Sequence, residues 1–150
     1  MNVHPLIVHF PIALLITGVL SDVFGFLRMR PFFQDVGLFL IGLGVLGAIA
    51  AGVSGDQAAE ALSHISELTP FVEQHEDFAT GTIWMFILLL LWRLYLKIRG
   101  RFTPLIRTAY VILSLTAGGL LSVTSYLGGV LVFEHGAGVK PAVERSSPGK

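Results

Sequence analysis

Four nearly unbroken apolar stretches divide this 150-residue chain, and its polar residues collect in the segments between them. The stretches run approximately Pro5–Leu27, Phe33–Val53, Phe78–Ile98 and Leu105–Phe133. Each holds at least the ~20 residues that cross ~30 Å of hydrocarbon at ~1.5 Å per residue, so each reads as a transmembrane helix. Arg28–Met29–Arg30–Pro31 joins the first to the second, and Lys97–Ile98–Arg99–Gly100–Arg101–Phe102–Thr103–Pro104 joins the third to the fourth. Short links make sequential antiparallel neighbours, which predicts an all-α, up-down four-helix membrane bundle over residues 1–139. The tail 140–150, with Pro141, Ser146, Ser147, Pro148 and Gly149, reads as a flexible end.

The connection between the second and third spans is longer. Within it Ala58, Ala61, Leu62, Ile65 and Leu68 recur at helical spacing, which predicts a short amphipathic helix on the outer surface. Thr69–Pro70 would end that helix and open the next, with proline at its first position and His75 in its second turn.

Charge adds an orientation. The side with the two short links holds Arg28, Arg30, Arg93, Lys97, Arg99, Arg101 and Arg107. The segment Ser54 to Glu76 has no lysine or arginine and carries Asp56, Glu60, Glu67, Glu73 and Glu76 instead. The positive-inside rule then places both termini and the long loop outside, in a multi-pass membrane protein. Lys140, Arg145 and Lys150 oppose this only weakly.

Composition narrows the function classes. A chain 53% hydrophobic and 13% charged, with mean hydropathy +0.75, belongs with integral membrane proteins. It has no cysteine, which excludes disulfides, thiolate metal sites, iron–sulfur clusters and covalently attached haem. The first span lacks a basic flank before it and a small-residue cleavage site after it, and reads as a permanent anchor. No P-loop, GxGxxG, nucleophile elbow or paired-carboxylate site occurs, which favours a carrier or accessory subunit over a stand-alone enzyme. The basic residues line a membrane interface, so the bilayer, and no nucleic acid, is the expected partner.

Small residues mark the helix contacts. Gly44–Ala48–Gly52 and Gly47–Ala51–Gly55 are spaced by four along the second span, and Gly118–Gly119 and Gly128–Gly129 punctuate the fourth. In lipid, close approach through such residues is the main cohesive force between helices. Gly128 stands two turns before His135, where a flat ligand would need room. Pro11 removes a backbone hydrogen bond beside His9. Asp22, near the inner end of the first span, reads as a lip residue paired with Arg28 or another inner arginine, or as a proton-relay group.

The candidate chemistry lies in the histidines. His4, His9, His64, His75 and His135 all fall on the outer side. Imidazole is the commonest protein ligand for transition metals and a poor guest in lipid. His64 sits on the edge of the expected surface helix and reads as structural. The other four lie on three helices near one depth. His4 and His9 are five residues apart, about 140° around a helix, so they cannot easily share one small ion. His75 has Ala79 and Thr82 below it, both small enough to leave a slot. Three uses fit: bis-histidine ligation of a b-type haem between small residues, a copper or zinc site of three or four histidines, or metal-free hydrogen bonding to a loop or a quinone head group.

The stretch His4–Pro5–Leu6–Ile7–Val8–His9–Phe10–Pro11–Ile12–Ala13–Leu14 closely resembles the opening of a bacterial membrane family called domain of unknown function 2231. Gly128–Gly129–Val130–Leu131–Val132–Phe133–Glu134–His135–Gly136–Ala137–Gly138–Val139 is similar to the family's closing motif, with Phe133 where tyrosine is frequent. A histidine ahead of the third span, here His75, also fits. The resemblance spans residues 1–139 and implies a four-helix protein whose relatives are sometimes joined to Rieske or cytochrome domains. It selects His4, His9, His75 and His135 as the motif histidines.

The expectation is therefore an electron-transfer protein with one or two haem b groups near the outer face. His9 and His75 are the first candidate ligands, His4 and His135 their partners, and Gly128 and Ala79 the flanking small residues. A quinone and a redox protein or larger membrane complex are the implied partners. A haem-free copper or zinc protein, and an accessory subunit of a larger complex, are the alternatives.

Overall fold

The computed structural model describes residues 4–60, 62 and 64–137. Four α-helices fill them: α1 His4–Leu27, α2 Pro31–Glu60, α3 Thr69–Arg99 and α4 Pro104–Phe133. All four are long and apolar enough to cross a membrane. The ends are set by local chemistry. Met29 takes a left-handed φ of 52°, and the Arg30 amide reaches back to the Gly25 carbonyl at 2.8 Å, which stops α1. Gly100, with φ 61°, closes α3 because only glycine adopts that backbone without strain. The Thr103 hydroxyl accepts from the Ile106 amide and caps α4, with Pro104 following as its first residue.

The connection between α2 and α3 differs from the sequence expectation. Asp56 to Glu60 continue α2 without a break, which absorbs Ala58 into it. Leu62 then donates to Ala59, Ile65 to Leu62 and Leu68 to Ile65, each through backbone amides, as successive turns. The described residues here contain no separate amphipathic helix. Nucleating one over so few residues costs more than its hydrogen bonds return. Ala61 and the tail 140–150 lie outside the described residues. α3 does begin at Thr69, with Pro70 in its first turn and Leu68, not Thr69, as the cap residue.

Each helix packs on its neighbours in sequence, and α4 closes back on α1, while the backbones of the diagonal pairs α1–α3 and α2–α4 stay apart. That is a square up-down bundle. α1 and α2 form the closest pair, held by glycine contacts. A Cβ on Gly37 would stand 2.6 Å from the Asp22 amide nitrogen, and one on Gly44 2.5 Å from a Leu15 methyl carbon. Leu15, Val19, Ile41, Phe86, Leu89, Ala117 and Leu121 fill the middle of the bundle. Large apolar side chains such as Phe39, Leu46, Trp84, Leu88 and Ile112 point outward, as a lipid-facing surface requires.

Candidate functional site

The inward stripe of each helix advances in steps of three and four: Leu15, Val19, Asp22 and Phe26 on α1; Thr82, Phe86, Leu89, Arg93 and Leu96 on α3; Tyr110, Ser114, Ala117, Leu121 and Thr124 on α4. Carried to both ends of the bundle, these stripes assemble two rings of four residues, one residue from each helix. The arginine-end ring is Asp22, Gly37, Arg93 and Tyr110. The histidine-end ring is His4, Gly55, His75 and Gly128. On every helix the two ring members are eighteen residues apart. That is five turns at ~3.6 residues per turn, or about 27 Å, so each helix presents one direction to the axis at both ends.

The arginine-end ring is closed. Asp22 and Tyr110 are fully buried and Arg93 is 3% exposed. Arg93 donates from Nε to Asp22 Oδ2 at 3.3 Å and from Nη2 to Asp22 Oδ1 at 3.4 Å. A third bond runs from Nη2 to the Gln34 carbonyl, and the Tyr110 hydroxyl donates to Asp22 Oδ2 at 2.5 Å. The guanidinium carbon lies 4.7 Å from the Phe26 ring centre and 4.9 Å from that of Phe102. Gly37 permits the arrangement by letting the α2 backbone touch Asp22. The partner of Asp22 is thus Arg93, another arginine of that end, and not Arg28, which lies over Phe24. Every charge here is neutralised and hydrogen-bonded, as burial demands.

The histidine-end ring is open in the chemical sense. His4 on α1 and His75 on α3 come from diagonal helices and lie within electrostatic reach of each other. Gly55 on α2 faces the His4 ring, and Gly128 on α4 faces the His75 ring. Added Cβ atoms there would stand 3.2 Å and 3.0 Å from the respective Cε1 atoms. Ser54 Oγ lies 2.9 Å from both the Ala51 carbonyl and His4 Nδ1; with its proton on the carbonyl, Nδ1 of His4 is the donor to it. That tautomer leaves the lone pair on Nε2, the form in which an imidazole binds a metal. Burial pushes the His4 imidazole below its usual pKa, with the Ala51 carbonyl opposing. His75 Nδ1 is buried with no hydrogen-bond partner among the described residues. Two turns deeper, Thr82 donates to the Phe78 carbonyl at 2.7 Å and accepts from the Thr124 hydroxyl at 2.8 Å, which closes the floor.

The remaining sequence candidates lie elsewhere. His9 is exposed, on the same outward stripe as Ala13, Thr17, Leu20 and Phe24, whereas His4 is partly buried on the opposite side of α1. His135 stacks on Phe71, ring centres 4.2 Å apart. His64 is exposed in the connecting turns. Ala79 is partly buried one turn below His75. Among the described residues no three His, Asp or Glu side chains come together as a metal group. Beside the ring, Asp56, Glu60, Glu73 and Glu76 line a cleft of about 330 Å³ between the end of α2 and the start of α3. Sequence reasoning missed Ser54 and Gly55. The signal available was the eighteen-residue offset of Gly55 from Gly37, the buried Asp22-facing turn of α2, with Ser54 beside it.

No curated protein and no solved structure matches the chain. Residues 1–141 match the family model described as "Predicted membrane protein (DUF2231)". With the bundle, the opening histidine motif and the closing glycine–histidine motif all inside that match, the chain belongs to the DUF2231 family of predicted membrane proteins.

Proposed function

We propose that this chain is a membrane electron-transfer protein that holds a b-type haem through His4 and His75. The observation that carries the reading is the diagonal imidazole pair, with a buried Nδ1 on His75 that has no hydrogen-bond partner among the described residues, set between glycines on the other diagonal. Donor count favours haem over a bare ion. Haem iron asks two imidazoles of the protein, whereas a zinc site takes three or four protein ligands. Facing helices of a four-helix bundle are also the usual place for such a cofactor.

When bound, the haem would supply one-electron transfer. The chain's own residues do the rest. Ser54 anchors His4 Nδ1 and so holds the ring direction. Gly55 and Gly128 give the two rings the room that a methyl group would take. The Thr82–Thr124 pair satisfies the polar atoms beneath, so the site stands above a dry apolar core. In this reading the histidine end faces outward from a bacterial inner membrane. Membrane quinol is the electron donor, and the acceptor meets the carboxylates of the neighbouring cleft.

The test is a visible spectrum of protein purified from haem-replete cells. Reduced-minus-oxidised bands of b type are expected, and they should vanish in His4→Ala and in His75→Ala but persist in His9→Ala. A colourless wild-type protein sinks the proposal.

A further inference from the structure

Seven basic side chains and only two carboxylates gather at the arginine end: Arg28, Arg30, Arg93, Lys97, Arg99, Arg101 and Arg107 against Asp22 and Asp35. Asp22 is taken by Arg93, and Asp35 by Lys97 at 2.6 Å. Five arginines therefore have no carboxylate partner among the described residues. Their contacts are poor in negative charge. Arg28 lies 5.9 Å from the Phe24 ring centre, Arg99 lies 5.9 Å from that of Tyr95, and Arg107 Nη1 donates to Met29 Sδ.

These arginines belong to one surface. The Arg107–Met29 contact ties the start of α4 to the α1–α2 link, and Phe26 meets Phe102 at 5.0 Å, tying α1 to the α3–α4 link. An apolar fringe adjoins them: Leu27, Phe32, Ile98 and Leu105 are 68, 71, 81 and 79% exposed. Uncompensated guanidinium groups above an apolar skirt match one molecule in two parts, a phosphate with acyl chains beneath it. Arginine's planar fork suits phosphate oxygens, and the exposed aliphatic surface suits the chains.

We propose that the arginine end binds anionic phospholipid selectively, with Arg28, Arg30, Arg99, Arg101 and Arg107 taking head-group phosphates of the phosphatidylglycerol type. A soluble phosphate shares the anionic chemistry but leaves the apolar fringe unused, so the lipid is the occupant. Each basic residue near an anionic membrane surface contributes about fivefold in binding. The interaction is independent of what the histidine end holds.

The full chain, stripped of lipid in a neutral detergent, would be titrated with dioleoylphosphatidylglycerol or dioleoylphosphatidylcholine, with bound lipid counted by native mass spectrometry and Tm followed in parallel. Phosphatidylglycerol should be retained at ~10-fold lower concentration and raise Tm, while glycerol 3-phosphate changes neither. The Arg28→Gln/Arg30→Gln variant should lose ~10-fold or more of that retention, and Arg28→Lys/Arg30→Lys should keep most of it. Equal retention of the two lipids by the wild-type chain overturns the proposal, whether or not the glutamine variant folds. So does equal protection by glycerol 3-phosphate, or undiminished retention in a folded glutamine variant.

Discussion

The two rings use the same construction for opposite ends. Each takes one residue from each helix, on the same stripes, five turns apart. The buried ring at the arginine end turns its polar atoms on one another: a carboxylate, a guanidinium, a phenol and a backbone carbonyl leave nothing for an outside molecule. The histidine end turns two imidazoles inward from diagonal helices and leaves one buried nitrogen with no partner among the described residues. A satisfied buried network rigidifies; an unsatisfied one is a cost that persists only where something else collects the benefit. The first ring fixes the rotation of the helices, and that rotation is what turns His4 and His75 inward at the other end.

The contrast can be broken most severely at Arg93. Arg93→Ala strands Asp22 in the core, and loss of one partner of a buried pair costs about 3–5 kcal/mol. Unfolding in graded denaturing detergent should register it, and Asp22→Leu/Arg93→Leu should recover much of the loss. A variant as stable as wild type would mean that the ring holds nothing. Next in size is Gly37→Ala, which drives a methyl group into the Asp22 backbone. Overpacking of this kind costs about 1–3 kcal/mol. Gly42→Ala, with open space around it, is the matched control and should be silent in the same assay. The smallest effect reverses sign. In haem-free protein, His75→Leu removes an unpartnered buried nitrogen whose burial costs about 1–3 kcal/mol, so stability should hold or rise. A large drop would show that His75 is as firmly bonded as Asp22, and the two ends would no longer differ.

The bundle itself was legible because a span needs only length and apolarity, and both are written locally. The α2–α3 connection was not, since an amphipathic pattern over Ala58 to Leu68 reads alike whether it forms its own helix or extends α2 and then turns. Among the histidines, the arithmetic that separated His4 from His9 was correct, but nothing local said which of them faces inward. In a soluble helix the apolar stripe answers that. In α1 both faces are apolar, and the contrast disappears. One polar residue did hold the answer: Asp22 lies five full turns from His4 and must avoid lipid, which points His4 inward and His9 out. Arg93 holds the same information for His75.

What the sequence determined by itself is the class of object. It specifies four spanning helices, short links on the basic side, histidines gathered at the opposite side, and membership of one membrane family. These follow from hydropathy, charge and motif, which act along the chain. The tertiary structure decided which imidazoles turn inward, that Asp22 is held by Arg93 and Tyr110, and that Ser54, Gly55 and Gly128 shape the histidine end. Those outcomes depend on helix rotation about its own axis. Rotation is set by packing between helices, through glycine contacts and one buried ion pair, and no single apolar span encodes it.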